Sequence, residues 1–292
     1  MKKILFNGSG VAIVTPFCDN GSVNYEKLGD LIEFQLMNKT DAIIVCGTTG
    51  EASTLTDDEH KSVIEFAVKK VAKRVPVIAG TGSNDTLYSL ELSSHAKSVG
   101  CDALLQVSPY YNKTTQTGLI KHFNYIADRV DLPMILYNVP SRTGMDIQPE
   151  TYAQLAKHDN IIATKEANGD MEAIIKTIDL CGDNLNIYSG NDCDYVPVLS
   201  VGGLGVISVM ANIIPKQTHD IYELFTNGKI KESFALHLKY TKLITALFVE
   251  TNPIPIKTAM NLMGFDVGEL RMPLCEMSDK NLETLRIVLK TL

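Results

Sequence analysis

The sequence contains no tryptophan, and aromatic residues make up only 7% of its 292 positions. Positive charge is also scarce, because 27 lysines and arginines face 34 acidic residues and give a formal net charge of -7. A protein of this sign has no general attraction for nucleic acid or anionic lipid. With no basic stripe or tail along the chain, we expect neither nucleic acid nor a membrane surface as a partner.

Long hydrophobic runs are scarce as well. The first apolar run, in MKKILFNGSG, is broken by Asn7 and Gly8, which leaves it far too short for a signal-peptide core. Residues 195–215, YVPVLSVGGLGVISVMANIIP, are uncharged and match a membrane span in length, but prolines, clustered glycines and Asn212 interrupt them. This window predicts a short helix followed by a buried strand, and the whole pattern predicts a cytoplasmic protein.

Recognisable metal and cofactor motifs are missing. The six cysteines contain no C-x-x-C pair and the six histidines no H-x-x-x-H pair, so we expect reduced, mostly buried thiols and no metal site. No G-x-G-x-x-G follows any predicted strand, and VGGLG at 201–205 precedes its strand, which is the wrong end for binding phosphate. We therefore expect no bound cofactor.

Short apolar, β-rich runs recur along the first three quarters of the chain. They begin near residues 10, 42, 76, 103, 134, 161, 186 and 205, and helix-like segments lie between them. Because the runs do not alternate with polar residues, they indicate strands buried on both faces. Eight such repeats predict an α/β fold, an eight-stranded parallel β/α (TIM) barrel. A doubly wound open sheet uses the same alternation but normally has fewer strands.

The alternation stops near residue 225, and the remaining pattern is helical, with Ser278 as the expected N-cap of the last helix. We predict a catalytic barrel domain over 1–224 and a C-terminal helical domain over 225–292. Because no Ser- or Gly-rich linker separates the two, the helical domain should pack on the barrel.

Candidate site residues lie where the predicted strands end, since the carboxyl ends of barrel strands form the active site of this fold. Lys165 ends the sixth run, IIATKE, where a lysine is unexpected after β-branched apolar residues. Burial disfavours a charged ammonium and favours the neutral amine, which is a nucleophile for ketones. Strand alternation places Glu166 on the opposite face, towards the helices, either paired with a cation or as an ordinary carboxylate between layers.

The other strand ends carry hydroxyls, a guanidinium and glycine, but neither a carboxylate cluster nor a Ser/His/Asp set. The residues are Thr48, Thr49, Tyr110, Tyr111, Tyr137, Arg142 and Gly190. Hydroxyl groups can relay protons, and a guanidinium can hold a carboxylate with two hydrogen bonds. Tyr110 is expected to be chiefly structural.

Five motifs occur in order: GTTGE at 47–51, SPYYNK at 108–113, ILYNVPSRTG at 135–144, TKEANGD at 164–170 and SGND at 189–192. Together they resemble the dihydrodipicolinate synthase family, which belongs to the pyruvate-dependent class I aldolases that also include N-acetylneuraminate lyase. The resemblance covers essentially the whole chain. It implies condensation of pyruvate with L-aspartate 4-semialdehyde to 4-hydroxy-tetrahydrodipicolinate, the first committed step of diaminopimelate and lysine biosynthesis.

The resemblance also implies residue roles. Lys165 would form the Schiff base with pyruvate, and Tyr137, Thr48 and Tyr111 would relay protons. Thr49 would bind the pyruvate carboxylate, Arg142 would bind the carboxylate of the semialdehyde, and Gly190 and Ile207 would offer main-chain contacts near the imine. Tyr111 would come from a neighbouring subunit, so a dimer would be required, and the resemblance implies a homotetramer made of two dimers.

Two alternatives are a related aldolase acting on a sialic acid or a 2-keto-3-deoxy sugar acid, and a non-catalytic keto-acid sensor. Sugar lyases resemble one another in lacking the arginine at position 142 and in having GSTGE where this chain has GTTGE. A sensor would be expected to have lost the amine or the hydroxyls, and this sequence retains both.

Many relatives are inhibited by L-lysine at a separate site of the dimer interface. His60, Asn84 and Tyr110 match that pattern, whereas Ala52 replaces a usual serine, Asp57 a histidine and Tyr88 a glutamate. Without the glutamate, the α-ammonium of lysine would be desolvated without compensation. We therefore expect weak or absent inhibition by lysine.

Overall fold

The computed structural model describes residues 2–292 and contains a closed barrel of eight parallel strands in sequential order. The strands are β1 (Gly8–Ala12), β2 (Ala42–Val45), β3 (Val77–Gly80), β4 (Ala103–Val107), β5 (Met134–Asn138), β6 (Ile161–Glu166), β7 (Asn186–Ser189) and β8 (Gly205–Ser208). Pairing of Gly8 with Gly205 and of Gly10 with Ile207 closes β1 onto β8. The barrel fold predicted from the sequence is confirmed.

The strands begin within two residues of the predicted positions because each starts as an uncharged run buried on both faces. Their inward side chains, such as Ile44, Ile78 and Leu105, form one apolar cluster inside the barrel. Their outward side chains join the helices in a second, larger cluster. Two separate apolar layers are what a parallel barrel needs to bury both faces of every strand.

Thirteen α-helices surround or follow the strands within residues 2–292. They are α1 (Tyr25–Met37), α2 (Asp57–Val71), α3 (Thr86–Ser98), α4 (Gln116–Ala127), α5 (Pro140–Thr143), α6 (Pro149–Leu155), α7 (Met171–Cys181), α8 (Tyr195–Ser200), α9 (Pro215–Thr226), α10 (Ile230–Lys239), α11 (Thr241–Leu247), α12 (Ile254–Leu262) and α13 (Asp279–Leu289). Thr56 and Glu59 form a capping box at the start of α2. Ser278 is the N-cap position of α13, but its hydroxyl bonds to Glu250 instead of to the helix.

The uncharged window at 195–215 folds as predicted, into the short helix α8 followed by the buried strand β8. No helix within residues 2–292 is long and apolar enough to cross a membrane. The expectation for the cysteines holds only in part: all six are free thiols, but just Cys46, Cys101 and Cys181 are buried.

The helices after α9 contact the barrel through buried polar groups as well as apolar side chains. Lys257 of α12 forms an ion pair with Glu51, and Arg271 binds both carboxylate oxygens of Glu59. Helix α9 ends at Thr226, two residues beyond the predicted boundary. The division into domains 1–224 and 225–292 stays a prediction.

Candidate active site

Lys165 and Tyr137 are direct cross-strand partners at the carboxyl ends of β6 and β5. The Lys165 Nζ atom lies 4.1 Å from the centroid of the Tyr137 ring. Both side chains are nearly buried, with 6% and 7% of their surface exposed. The two residues that the sequence singles out for imine chemistry are thus brought into contact by the register of one strand pair.

The surroundings of Lys165 are unusual for a buried amine. Within residues 2–292 its Nζ forms no ion pair and no hydrogen bond, and it lies over the face of the Tyr137 ring. A buried cation is normally paired, because desolvation otherwise costs several kcal/mol. The amine of Lys165 thus departs from the usual pattern of a buried lysine, and within the described residues it adds neither an ion pair nor a hydrogen bond to the fold.

A cavity of about 540 Å³ opens at the carboxyl ends of β2 to β5. Among its lining residues are three of the predicted site residues, Thr48, Tyr137 and Arg142, together with Tyr110. The remaining five predicted residues are not part of the lining. Among residues 2–292 no group of three or more His, Cys, Asp or Glu is arranged to hold a metal ion, and the expected absence of a metal stays a prediction.

The GTTGE loop after β2 is held in a strained conformation. Cys46 and Glu51 flank it with positive φ angles of 54° and 53°, a region that L-residues other than glycine seldom adopt. Glu51, buried at the end of the loop, accepts from Lys257 Nζ at 2.8 Å and from the Arg271 amide at 3.0 Å. The C-terminal helices therefore fix the loop that carries Thr48 and Thr49.

Asn252 links two predicted substrate-binding residues, and sequence reasoning missed it. Its Nδ2 donates to the Thr49 hydroxyl at 3.0 Å, and its main-chain oxygen accepts from Arg142 Nη2 at 2.8 Å. Thr49 is buried, whereas the Arg142 side chain is exposed at the cavity. No motif marks Asn252 in the sequence, because its partners lie more than a hundred residues away in the chain.

Gly190 directly follows β7, the neighbour of β6, and Ile207 lies on β8, the next strand of the barrel. The Gly190 amide donates to the Glu166 carbonyl at 2.6 Å, and a Cβ at this position would lie 2.8 Å from the Ala167 Cβ. Glycine is needed here for the close approach of the two chain segments. Ile207 is fully buried in the apolar cluster inside the barrel, near Tyr137.

Glu166 faces the helices, as the alternation of β6 predicts, but it does not pair with a cation. Its carboxylate accepts from Asn138 Nδ2 at 2.9 Å, from the Tyr152 hydroxyl at 2.8 Å and from the Asn168 amide at 3.1 Å. Burial raises the pKa of Glu166 to about 8, in spite of these hydrogen bonds. Of the two expected roles, the structure shows the ordinary carboxylate between layers, which neutral donors satisfy.

Tyr111 stands apart from the other predicted site residues. It is 94% exposed, adopts a positive φ of 69°, and does not line the cavity of its own chain. An aromatic ring that is almost fully exposed at the rim of a site is typical of a contact surface. Its neighbour Tyr110 lines the cavity and is 37% exposed.

One arm of the cavity is lined by Ala52, His60 and Tyr88. These are three of the positions that correspond to the lysine-inhibition site of relatives. Burial lowers the pKa of His60, whose Nε2 lies 2.8 Å from the Gly80 oxygen. The carboxylate of Asp57 lies 2.8 Å from Lys61 Nζ, and the hydrogen bond from Lys61 is the main cause of the lowered pKa of Asp57.

A buried lysine amine at the carboxyl end of a parallel barrel, in contact with a tyrosine, is the arrangement of a class I aldolase-type lyase. Comparison with known families narrows this class. The model of the dihydrodipicolinate synthetase family matches residues 5–292, and the chain belongs to that family.

Its relatives are similar along almost their whole length. A protein of Acetivibrio thermocellus called 4-hydroxy-tetrahydrodipicolinate synthase is 56% identical over 290 residues, 99% of this chain and 98% of the relative. One of the same name from a Thermoanaerobacter species is 58% identical over 286 residues, 98% of this chain and 96% of the relative. The crystal structure of dihydrodipicolinate synthase from Aquifex aeolicus is 47% identical, with a TM-score of 0.95 over 98% of this chain and 97% of that one.

Proposed function

We propose that this chain condenses pyruvate with L-aspartate 4-semialdehyde to 4-hydroxy-tetrahydrodipicolinate through a Schiff base on Lys165. The reaction opens the lysine and diaminopimelate pathway. The family and the names of relatives at 56% to 58% identity support the reaction. The observation that carries the assignment of Lys165 is its buried amine without a counter-ion, 4.1 Å from the Tyr137 ring centroid.

Tyr137 and Thr48 are proposed to move the protons of this reaction. Imine formation requires the carbonyl oxygen of pyruvate to leave as water, and a hydroxyl next to the amine can supply and recover that proton. Both residues line the cavity, and Tyr137 contacts the amine directly. The enamine carbon then attacks the aldehyde, and ring closure by the substrate amino group displaces Lys165.

The two carboxylates are proposed to bind at opposite sides of the Asn252 link. Thr49 would hold the pyruvate carboxylate with its amide and hydroxyl, and the exposed guanidinium of Arg142 would hold that of the semialdehyde. Gly190 and Ile207 would offer main-chain contacts beside the imine. Their positions at the carboxyl ends of β7 and β8, the two strands that follow β6 in the barrel, support this role.

Tyr111 is proposed to act in a neighbouring subunit, in an assembly of two dimers. Its 94% exposed ring at the mouth of the barrel supports a contact with a second copy. An interface variant isolated as a monomer should lose activity if Tyr111 completes the neighbour's hydroxyl chain. A fully active monomer would remove Tyr111 from the site.

Turnover with defined aldehydes tests the proposed reaction. The protein should consume pyruvate only with L-aspartate 4-semialdehyde and should not cleave N-acetylneuraminate. Arg142→Ala should weaken the semialdehyde far more than pyruvate, since only the semialdehyde would lose the charged partner of its carboxylate. Equal weakening of both substrates would refute the role of Arg142, and cleavage of the sugar acid would refute the reaction.

We also propose that lysine inhibits this enzyme weakly or not at all. Tyr88 offers no charge to an α-ammonium in the cavity arm, and the nearby carboxylate of Asp57 is already paired with Lys61. A lysine titration at subsaturating pyruvate decides the question. Half-inhibition below about 1 mM, a binding free energy of about -4 kcal/mol, would contradict the proposal.

A further inference from the structure

Strands β5 and β6 present two residue pairs, one on each face of the barrel wall. Tyr137 pairs with Lys165 on the inner face, and the next pair in register, Asn138 and Glu166, lies on the outer face. Adjacent residues of a strand point to opposite faces, but each outer residue is joined to an inner one by a peptide bond. An interaction that fixes the position of the outer pair therefore also restrains the inner pair.

The outer pair is cross-linked by side chains. Asn138 Nδ2 donates to Glu166 Oε1 at 2.9 Å and to Asp146 Oδ1 at 2.6 Å, while Asn138 Oδ1 accepts from the Ile147 amide at 3.1 Å. Asn138 is completely buried and Glu166 is 3% exposed. A hydrogen bond between cross-strand neighbours in a dry environment is stronger than one in water and resists sliding of the strands.

Glu166 is anchored in two more directions. Its Oε2 accepts from the hydroxyl of Tyr152 on α6, and its Oε1 accepts from the Asn168 amide in the loop after β6. The Tyr152 oxygen also accepts from Thr164 Oγ1, at 3.1 Å. The carboxylate therefore joins β5, β6, the following loop and the helix layer at a single point behind Lys165.

We propose that Glu166 is a positioning residue, whose side chain spans Asn138, Tyr152 and the Asn168 amide and so holds Lys165 and Tyr137 at reacting distance. This inference rests on the proposed function of that lysine and tyrosine. No hydrogen bond or ion pair within residues 2–292 fixes the Lys165 amine, so the backbone of β6 has to set its position relative to Tyr137.

The length of the side chain is the decisive property. Aspartate is one methylene shorter and cannot reach Tyr152 and Asn138 together from the same backbone. Glutamine has the length of glutamate, and its oxygen can accept from Asn138 and Asn168 while its amide donates to Tyr152. The Tyr152 hydroxyl then turns towards Thr164, 3.1 Å away, so every group keeps a partner.

Gln106 provides a matched control. It is fully buried on β4 between the barrel and α3, and its amide has three side-chain partners, Ser89, Thr81 and Ser93. Gln106→Asn shortens this side chain by one methylene, as Glu166→Asp does at its own position. The two variants thus remove the same kind of buried hydrogen bonds, in one case on β4, one strand away from Tyr137 and two from Lys165, and in the other directly behind the pair.

The measurement is the rate at which saturating pyruvate forms an imine that borohydride traps, in the full-length protein, alongside its melting temperature. Glu166→Asp should slow imine formation by roughly 10- to 100-fold, the effect of a misplaced reacting group, while Glu166→Gln restores the rate to within about threefold. Gln106→Asn should lower the melting temperature by a similar amount with an unchanged rate. Tyr152→Phe, which preserves ring packing, should slow the reaction in the same direction as Glu166→Asp.

Several results would overturn the proposal. If Glu166→Gln slows the reaction as much as Glu166→Asp, the charge matters and not the span. If Gln106→Asn slows it equally, the loss reflects general destabilisation. Should Glu166→Asp fail to fold, an unchanged rate in Tyr152→Phe would refute the network. A wild-type protein that traps no pyruvate would instead refute the proposed function, so the two failures are distinguishable.

Discussion

The structure contains two buried lysines that differ in almost every other respect. Lys257 is 1% exposed, and its Nζ donates to Glu51 Oε1 at 2.8 Å and to the Glu269 carbonyl at 2.6 Å. Lys165 is 6% exposed, and its Nζ forms no ion pair and no hydrogen bond within residues 2–292. Burial alone therefore does not distinguish the two amines, whereas their partners do.

The two lysines also occupy different positions relative to the proposed site. Desolvation lowers the pKa of Lys257, but Glu51 opposes the shift, and the ion pair fixes the GTTGE loop that carries Thr48 and Thr49. Lys257 thus supports the site from behind, through Glu51. Lys165 contacts the substrate region itself, next to Tyr137.

Lys165→Ala gives the largest expected effect. Turnover should fall to background, because the other buried lysine of the described structure, Lys257, has its amine paired with Glu51, and the melting temperature should stay the same or rise. Lys165 forms no ion pair within residues 2–292, so its removal breaks none. Circular dichroism and the coupled assay measure the two quantities, and substantial residual turnover would break the distinction between the two lysines.

Tyr137→Phe should produce the next largest loss. The ring that contacts the Lys165 amine remains, but the hydroxyl that relays protons is gone. Turnover should drop by roughly 10²–10⁴-fold, as for the loss of a general acid or base, while the protein stays folded. An unchanged rate would show that the hydroxyl takes no part in the relay.

Lys257→Met should act on stability. It strands the buried Glu51 carboxylate, so the free energy of unfolding should fall by about 3–5 kcal/mol. Adding Glu51→Gln should recover part of that loss, since an amide is cheaper to bury than a charge. Urea unfolding of the single and double variants provides the values. A loss below about 1 kcal/mol, the range of an exposed pair, would show that this ion pair is not the anchor of the loop.

The carboxylates beside the two lysines differ as well, and a substitution there should have a smaller effect than those above. Glu51 has a cation, but Glu166 has only neutral donors and a pKa raised from 4.5 to about 8. Between these values the folded state holds a proton that the unfolded state has released, so the stability falls as the pH rises through that interval. Glu166→Gln should flatten this dependence in unfolding experiments from pH about 5 to about 8. Parallel wild-type and variant curves would contradict it.

Local sequence patterns predicted the barrel because its strands start as uncharged runs, such as IIAT and MILYN. The same patterns found Lys165, since a charged residue at the end of such a run is conspicuous. Pairing in register then placed it opposite Tyr137. Where the governing interaction is between neighbouring strands, the sequence was sufficient.

Long-range polar contacts could not be predicted in this way. Glu51 and Lys257 are 206 residues apart, and Thr49 and Asn252 are 203 apart, so no local pattern marks them. Glu166 was expected to have either a cation or an ordinary interlayer role, and only the structure shows Asn138 and Tyr152 around it. The proposed partner of Tyr111 would lie in a second copy of the chain, which the pattern of one sequence does not describe.

Reductive trapping followed by peptide mapping tests the central claim most directly. The protein is incubated with pyruvate, reduced with borohydride and digested, and the mass of each lysine-containing peptide is measured. The account predicts stoichiometric modification of the peptide that contains Lys165, with the peptide that contains Lys257 unmodified. An unmodified Lys165 peptide, or equal labelling of the two lysines, would contradict it.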